Sequence, residues 1–220
     1  MRVHPVLTLL TVITLFAVRA SAGEAPHHEA HRAFDNPAEY TRSWDDPARD
    51  AWQKPAGLVA ALGVKAGMAV ADIGTGTGYL VPHLSRAAGP NGRVHAVDVS
   101  PQMLKWVQDR AARENLKNVG TVQASGNATG LPAASIDRAI MINVWHHIED
   151  PAAYARSLHA SLRTGGILFI VEAKPDAAEG PPRHFRLDPT KVIAVLEQAG
   201  FKASVDPFQI DRQYVVRGER

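Results

Sequence analysis

The sequence predicts an α/β protein with a doubly wound, mostly parallel sheet of seven strands that ends in an antiparallel hairpin. Two observations support this class. Short apolar runs typical of buried strands alternate along the chain with helical segments. Several of those segments begin at a Ser-Pro or Asp-Pro pair, which is typical of a helix start because the polar side chain can cap the first turn.

Five of the apolar runs predict parallel strands, and the last two predict the hairpin because a short link joins them. The predicted strands span residues 68–73, 93–97, 119–123, 136–142, 167–171, 201–205 and 213–216. The predicted helices span residues 55–62, 78–88, 100–115, 150–162 and 188–199, and several end at a glycine. Such regular alternation predicts a Rossmann-like sheet with helices on both faces.

We divide the chain into three parts. Residues 1–22 have a basic start, a short apolar run and a final Ala-Ser-Ala, which is the pattern of a secretory signal peptide. The run is shorter than the about 20 apolar residues of a transmembrane helix, so we expect cleavage, export to the periplasm or medium, and no stable membrane insertion afterwards. An uncut anchor is the alternative. Residues 23–53 form a polar N-terminal arm or lid, and residues 54–220 form one α/β domain.

Charge and composition exclude several functions. Cleavage after Ala22 removes Arg2 and Arg19 from 24 basic residues, and the remaining 22 equal the 22 acidic residues. A neutral chain is a poor binder of nucleic acid or anionic lipid. The absence of cysteine excludes disulfides, thiolate nucleophiles and cysteine-ligated zinc. We also predict no metal site, because a histidine cluster near a mature N-terminus favours a solvated tail; that cluster is His27, His28 and His31.

The most informative motif is a glycine-rich loop that joins the first strand to a helix. Residues 72–78 read DIGTGTG, and open α/β sheets bind ligands beyond the carboxyl ends of their strands. Glycine lets a ligand lie against the backbone there. Asp98 ends the second strand, 20 residues after Gly78, where its carboxylate can accept hydrogen bonds from a ribose diol. The dinucleotide pattern G-x-G-x-x-G would need glycine in place of Tyr79, which argues against a nicotinamide-dependent dehydrogenase.

Five segments in order resemble the motifs of class I S-adenosylmethionine-dependent methyltransferases of the small-molecule type. They are the glycine loop, the acidic end of the second strand, an adenine-reading segment, the fourth strand with the residues after it, and a Gly-Gly turn. In this sequence they are residues 72–78, 97–98, 126–132, 135–148 and 162–166. The resemblance extends from about residue 54 to the C-terminus. It implies S-adenosyl-L-methionine as the cofactor.

The resemblance also implies the cofactor-binding residues. These are Asp72, Gly74, Gly76, Gly78, Asp98, Asn127 and Asn143. Asp72 and the loop backbone hold the methionine end, Asp98 takes the ribose hydroxyls, and Asn127 lies by the adenine amino group. Many family members have aspartate at the position of Asn127. Packing glycines, or an Asp72 that orders only the loop, are the alternatives.

Two histidines after the fourth strand, His146 and His147, are the candidate general bases. A base is needed only when the methyl acceptor must lose a proton, and imidazole is suited to that task near neutral pH. The alternative is that they order the loop before Asp150. The function predicted is methyl transfer to an unidentified acceptor, expected to be a small molecule. A non-catalytic protein that binds a nucleoside is the second hypothesis, and the sequence does not indicate an oligomeric state.

Overall fold

A computed structural model of the chain describes residue 1 and residues 36–220. The predicted signal peptide lies outside the described residues apart from Met1, and so does the cluster of His27, His28 and His31. The arm is described from Asn36 onward. None of the helices among the described residues is both long and apolar enough to cross a membrane.

Seven strands and seven α-helices make up the described part of the chain. The strands are β1 (Ala69–Ile73), β2 (Arg93–Asp98), β3 (Val119–Gln123), β4 (Ile136–Ile142), β5 (Leu162–Ala173), β6 (Lys202–Val205) and β7 (Gln213–Glu219). The helices are α1 (Pro37–Trp44), α2 (Arg49–Gln53), α3 (Pro55–Ala61), α4 (Val81–Ala88), α5 (Pro101–Arg113), α6 (Pro151–Ser161) and α7 (Pro189–Gln198). Short 3₁₀ turns span Trp145–His147 and Arg183–Phe185.

The strands form one sheet in the order β3-β2-β1-β4-β5-β7-β6. The first five are parallel, while β7 runs antiparallel to both β5 and β6. The predicted doubly wound sheet with a C-terminal hairpin is therefore confirmed. The order changes direction between β1 and β4, and the crevice at such a switch point is where open α/β sheets bind ligands.

Both faces of the sheet are buried, and the alternation of side chains along each strand assigns them to two cores. Ala71 of β1 packs with Leu158 of α6 and Leu196 of α7 on one face. Val70, the neighbour of Ala71, packs with Leu58 of α3 and Leu84 of α4 on the other. This burial on both faces explains why the strands are continuous apolar runs.

Glycine geometry explains two of the places where the boundaries differ from the prediction. The predicted start of the helix after β1 is residue 78, but α4 begins at Val81 because the glycine loop adopts positive φ angles that a helix does not accept. The predicted fifth strand starts at residue 167, whereas β5 starts at Leu162. Gly165, at φ 74°, lies in a register shift within β5 rather than in a turn that precedes it.

Candidate functional site

A cavity of about 710 Å³ opens at the carboxyl ends of β1, β2 and β4. Seven of the nine predicted site residues line it: Asp72, Gly74, Gly76, Asp98, Asn143, His146 and His147. The volume falls within the usual range for cofactor and substrate pockets. The remaining two, Gly78 and Asn127, are not part of its lining. Among the described residues, no group of three or more histidines and acids is arranged to hold a metal ion.

The glycine loop lies close to its surroundings at every glycine. Gly74, Gly76 and Gly78 have φ angles of 67°, 53° and 80°. A Cβ at Gly74 would collide with the Val144 side chain, and one at Gly76 would lie 2.9 Å from the ring of Trp44. Gly78 is buried against α5 rather than exposed to the cavity. The loop backbone itself therefore forms one wall of the cavity, while Gly78 serves the packing behind it.

Main-chain hydrogen bonds hold this loop against β2. Val97 accepts from the backbone N–H groups of Gly74 and Thr75 at 2.8 and 3.0 Å. The carboxylate of Asp98 accepts from the backbone N–H of Gly76 at 2.9 Å through Oδ2, and from that of Ser100 at 3.0 Å through Oδ1. Asp98 thus ties together the loop after β1 and the first turn of α5.

Two buried carboxylates lie at this end of the cavity. Asp72 is 4% exposed and accepts a hydrogen bond from the hydroxyl of Thr75 at 2.8 Å. Burial raises the pKa of Asp72 to about 6, against the opposing effects of the Thr75 hydroxyl and the Arg49 guanidinium. Burial also raises the pKa of Asp98, although its backbone donors counteract this rise.

The described part of the N-terminal arm covers the glycine loop. The guanidinium of Arg49 stacks 3.9 Å from the ring centroid of Tyr79 and donates to the carbonyl of Trp44 at 2.7 Å. The Tyr79 hydroxyl donates to Asp50 at 2.6 Å. The side chains of Trp44, Arg49 and Trp52 line the cavity from above. The arm therefore supplies part of the cavity lining, and its role as a lid stays a prediction.

A chain of buried amides joins the arm to the end of β4. Gln53, which is fully buried, donates to Gln213 of β7 at 2.6 Å, and Gln213 donates to the side-chain oxygen of Asn143 at 2.8 Å. Asn143 has a φ of 56°, a conformation that asparagine tolerates better than most residues. The side chain of Asn143 is therefore committed to β7, and its position at the strand end depends on residues 70 and 90 positions away in sequence.

Of the two predicted bases, His146 has the more defined geometry. Its side chain is 4% exposed, and its Nδ1 lies 2.7 Å from Oε2 of Glu172, itself 1% exposed. Nδ1 of His147 is buried, and the His147 ring lies 4.1 Å from the His146 ring. The sequence analysis overlooked Glu172, although an acid within the apolar run of β5 was a visible signal.

The adenine-reading segment is the least enclosed part of the predicted site. Ser125 pairs with Ala128 in a tight turn, which leaves Asn127 exposed. Its neighbours Ser125 and Gly126 line the cavity. A contact between Asn127 and the adenine stays a prediction.

Comparisons with known proteins point to one family. Residues 71–170 match the family described as a methyltransferase domain. The ubiquinone/menaquinone biosynthesis C-methyltransferase UbiE of Marinomonas sp. (strain MWYL1) is 32% identical over 121 residues, which are 54% of this chain and 48% of that protein. UbiE of Hahella chejuensis is 33% identical over 115 residues, which are 51% of this chain and 46% of that protein. The chain spans about half the length of these curated relatives.

Solved structures extend the similarity to most of the chain. A SAM-dependent methyltransferase from Aquifex aeolicus superposes with a TM-score of 0.77 at 27% identity, and the match covers 84% of this chain and 98% of that one. The [4+2]-cyclase SpnF superposes with a TM-score of 0.59 at 22% identity over 69% of this chain and 58% of that one, which shows the shared fold alone.

Proposed function

Because the chain belongs to the class I S-adenosylmethionine-dependent methyltransferases, we propose that it transfers the methyl group of its cofactor, S-adenosylmethionine, to a small-molecule acceptor. The observation that carries the proposal is the Asp98 carboxylate, which lines the cavity and accepts a hydrogen bond from the backbone N–H of Gly76 in the glycine loop. The UbiE relatives, named as C-methyltransferases of ubiquinone and menaquinone biosynthesis, support a small-molecule acceptor.

The donor and acceptor groups of the cavity suit this cofactor. Asp98 accepts hydrogen bonds from the backbone N–H groups of Gly76 and Ser100, and Val99 acts as a further backbone donor. A carboxylate has about four acceptor sites, so acceptor capacity is left for a ribose hydroxyl. Gly74 and Gly76 line the cavity beside Asp72, and we assign the amino-acid end of the ligand to this wall. When bound, the cofactor supplies an activated methyl group.

The chain itself then has two tasks, alignment and exclusion of water. Alignment falls to the glycine loop and to the end of β4, where Asn143 is held by Gln213. Exclusion of water falls to the arm, and we propose that Trp44 and Arg49 close over the cofactor as a lid. Deletion of residues 23–53 should then lower both cofactor affinity and turnover, whereas unchanged values would contradict the lid.

Calorimetric titration of S-adenosylmethionine into the purified chain tests the proposal. We expect binding that weakens at least about tenfold in Asp98→Ala, because charge-assisted hydrogen bonds contribute roughly 1.5–3 kcal/mol. Asp109→Ala, which removes an exposed carboxylate that pairs with Lys105 on α5, is the matched control and should bind normally. NAD should not bind. No binding of S-adenosylmethionine at millimolar concentration would overturn the proposal, and binding without transfer to any acceptor would favour the nucleoside-binding alternative.

We also propose that the chain is exported, on the basis of the signal-like pattern of residues 1–22. Expression of the full sequence in a Gram-negative host, followed by fractionation and N-terminal sequencing, tests this. We expect a mature protein that begins at Gly23 in the periplasm. An intact Met1 in the cytoplasm would contradict export.

A further inference from the structure

Glu172 is an acidic residue at a buried position, where a carboxylate loses its hydration. It is the second-last residue of β5, is 1% exposed, and follows the apolar residues Ile170 and Val171. A buried carboxylate is destabilising unless hydrogen bonds compensate for its lost hydration. The backbone N–H of His146 donates to Oε1 of Glu172 at 3.4 Å, and Nδ1 of the His146 ring lies 2.7 Å from Oε2.

This contact determines which ring nitrogen of His146 is available to a ligand. An ionised carboxylate accepts hydrogen bonds and donates none, so the neutral imidazole carries its proton on Nδ1 and leaves a lone pair on Nε2. Nε2 makes no hydrogen bond to any residue that the structure describes, and His146 lines the cavity. The cavity wall therefore includes Nε2 of His146, a nitrogen that can accept a proton and whose orientation is held by Glu172.

Two other rings pack against the His146 ring. The ring of Phe185, from the 3₁₀ turn before α7, lies 5.8 Å from it, and the ring of the adjacent His147 lies 4.1 Å from it. Glu172 and Phe185 thus come from two distant segments, and together with His147 they restrict rotation of the ring. If His146 only stabilised the turn after β4, the contact between its backbone N–H and Glu172 would be sufficient. That role would not require the ring to be enclosed as well.

We propose that His146, positioned by Glu172, removes the hydroxyl proton of a phenolic acceptor, an inference that rests on the proposed function. The O–H bond of the phenol breaks, its electron pair stays on the phenolate oxygen, and a new N–H bond forms at Nε2. The charge that develops on the imidazolium is balanced by the Glu172 carboxylate. The imidazolium afterwards releases the proton to water. Glu172 touches neither acceptor nor cofactor, so it is a positioning residue.

Acidity favours a phenol over an aliphatic hydroxyl as the acceptor. A phenol, with a pKa of about 10, is within a few units of imidazole at about 6.5, whereas an aliphatic hydroxyl resembles water, at about 15.7. An ammonium acceptor would meet the like charge of the cofactor's sulfonium. Apolar and aromatic side chains line the cavity beside His146, among them Val144, Ile148 and Tyr154. Such walls favour a flat, neutral ring over a cation.

Binding of 4-nitrophenol in the presence of S-adenosylhomocysteine tests the inference without turnover. The absorption spectrum of this probe separates phenol from phenolate. At a pH where the free probe is mostly neutral, we expect the wild-type complex to hold it mostly as phenolate. His146→Gln should hold it neutral, and Glu172→Gln should lower the bound phenolate-to-phenol ratio at least about tenfold, because an adjacent opposite charge shifts a pKa by roughly 1–3 units.

Three controls make the result decisive. Glu172→Asp, which keeps the charge, should restore most of the ratio, and Glu197→Gln on the exposed face of α7 should not change it. Calorimetric binding of S-adenosylhomocysteine should stay within twofold of wild type in Glu172→Gln, which shows that the variant is folded. Equal ratios in wild type and Glu172→Gln, or no binding of the probe, would overturn the inference. No binding of S-adenosylhomocysteine by the wild type would instead overturn the proposed function.

Discussion

The two halves of the cavity are built in different ways. The half beside β1 and β2 is made of backbone, since Val97 and Asp98 hold the loop through the N–H groups of Gly74, Thr75 and Gly76. The half beside β4 and β5 is made of side chains from distant segments, such as His146 with Glu172, 26 residues apart. The first half depends on the conformation of one short segment, and the second on the whole fold.

This difference predicts how each half responds to substitution. Where backbone forms the wall, a side chain affects the site mainly by the space it takes or the conformation it forbids. Where side chains form the wall, loss of one partner leaves another buried polar group unsatisfied. The four substitutions below probe this contrast, and they run from the largest expected effect to the smallest.

Gly74→Ala should cause the largest loss. Its Cβ would collide with Val144, and alanine is strained at a φ of 67°. Overpacking and left-handed strain together should lower the free energy of unfolding by about 3 kcal/mol or more, and S-adenosylmethionine affinity should fall more than about a hundredfold. Chemical denaturation and calorimetry measure the two effects.

Gly67→Ala is the matched control for Gly74→Ala. Gly67 also has a positive φ, 85°, but a Cβ there meets nothing within 4 Å. We expect a loss of about 1–2 kcal/mol in stability from backbone strain and no change in cofactor affinity. Equal losses of cofactor affinity in both variants would show that the collision of the Gly74 Cβ with Val144 is not the cause of the loss.

Asp72→Asn should change how stability depends on pH. The pKa of Asp72 is about 6 in the folded chain, against about 3.9 when unfolded, so the folded state binds more protons between pH 4 and 6. The wild type should therefore lose about 2–3 kcal/mol as pH rises through this interval, and the loss should persist above it. The asparagine side chain of the variant would still accept from Thr75 but would not ionise.

Unfolding free energies of wild type and Asp72→Asn at pH 4 and pH 7 test this expectation. The advantage of the variant over the wild type should grow by about 2–3 kcal/mol between the two pH values. Parallel pH profiles would mean that Asp72 is better solvated than its burial indicates. That result would also weaken the view that this half of the cavity is rigid backbone closed to water.

Gln53→Ala tests the half that depends on distant side chains. It removes the partner of Gln213, which in turn holds Asn143, and leaves a buried amide oxygen without its donor. We expect a loss of about 1–2 kcal/mol in stability, together with weaker binding of S-adenosylmethionine as the arm loosens. Gln198→Ala, at an exposed position of α7, should stay within about 0.5 kcal/mol. Lower stability with unchanged affinity for S-adenosylmethionine would show that the arm does not contribute to cofactor binding.

The contrast between the halves also explains what the sequence could predict. The glycine loop and Asp98 are visible as a local pattern because they are close in the chain and their roles follow from backbone geometry. Asp72, at the end of β1, is visible for the same reason. The doubly wound class of the sheet follows from the alternation of strands and helices, which leaves few topologies open but does not fix the strand order.

The side-chain half could not be predicted in the same way. Nothing local connects Gln53 with Gln213, which are 160 residues apart, and only the folded sheet places them 2.6 Å apart. Glu172 was detectable as an acid in an apolar strand, but its pairing with His146 was not. Gly78 shows the opposite error of a sequence pattern. The motif includes it among the cofactor-binding residues, whereas the structure packs it against α5.

Asn127→Ala should have the smallest effect and sharpens the boundary of the site. Asn127 is exposed at the turn between Ser125 and Ala128, so an adenine contact would contribute one neutral hydrogen bond at the solvent edge. Such a bond is worth about 1 kcal/mol, which is roughly a fivefold loss of S-adenosylmethionine affinity. Asn127→Asp, which introduces a charged acceptor, should bind at least as tightly as the wild type. If neither substitution changes the affinity, Asn127 lies outside the site. Backbone groups near Ser125 and Gly126 would then contact the adenine edge, just as backbone forms the half of the cavity beside β1 and β2.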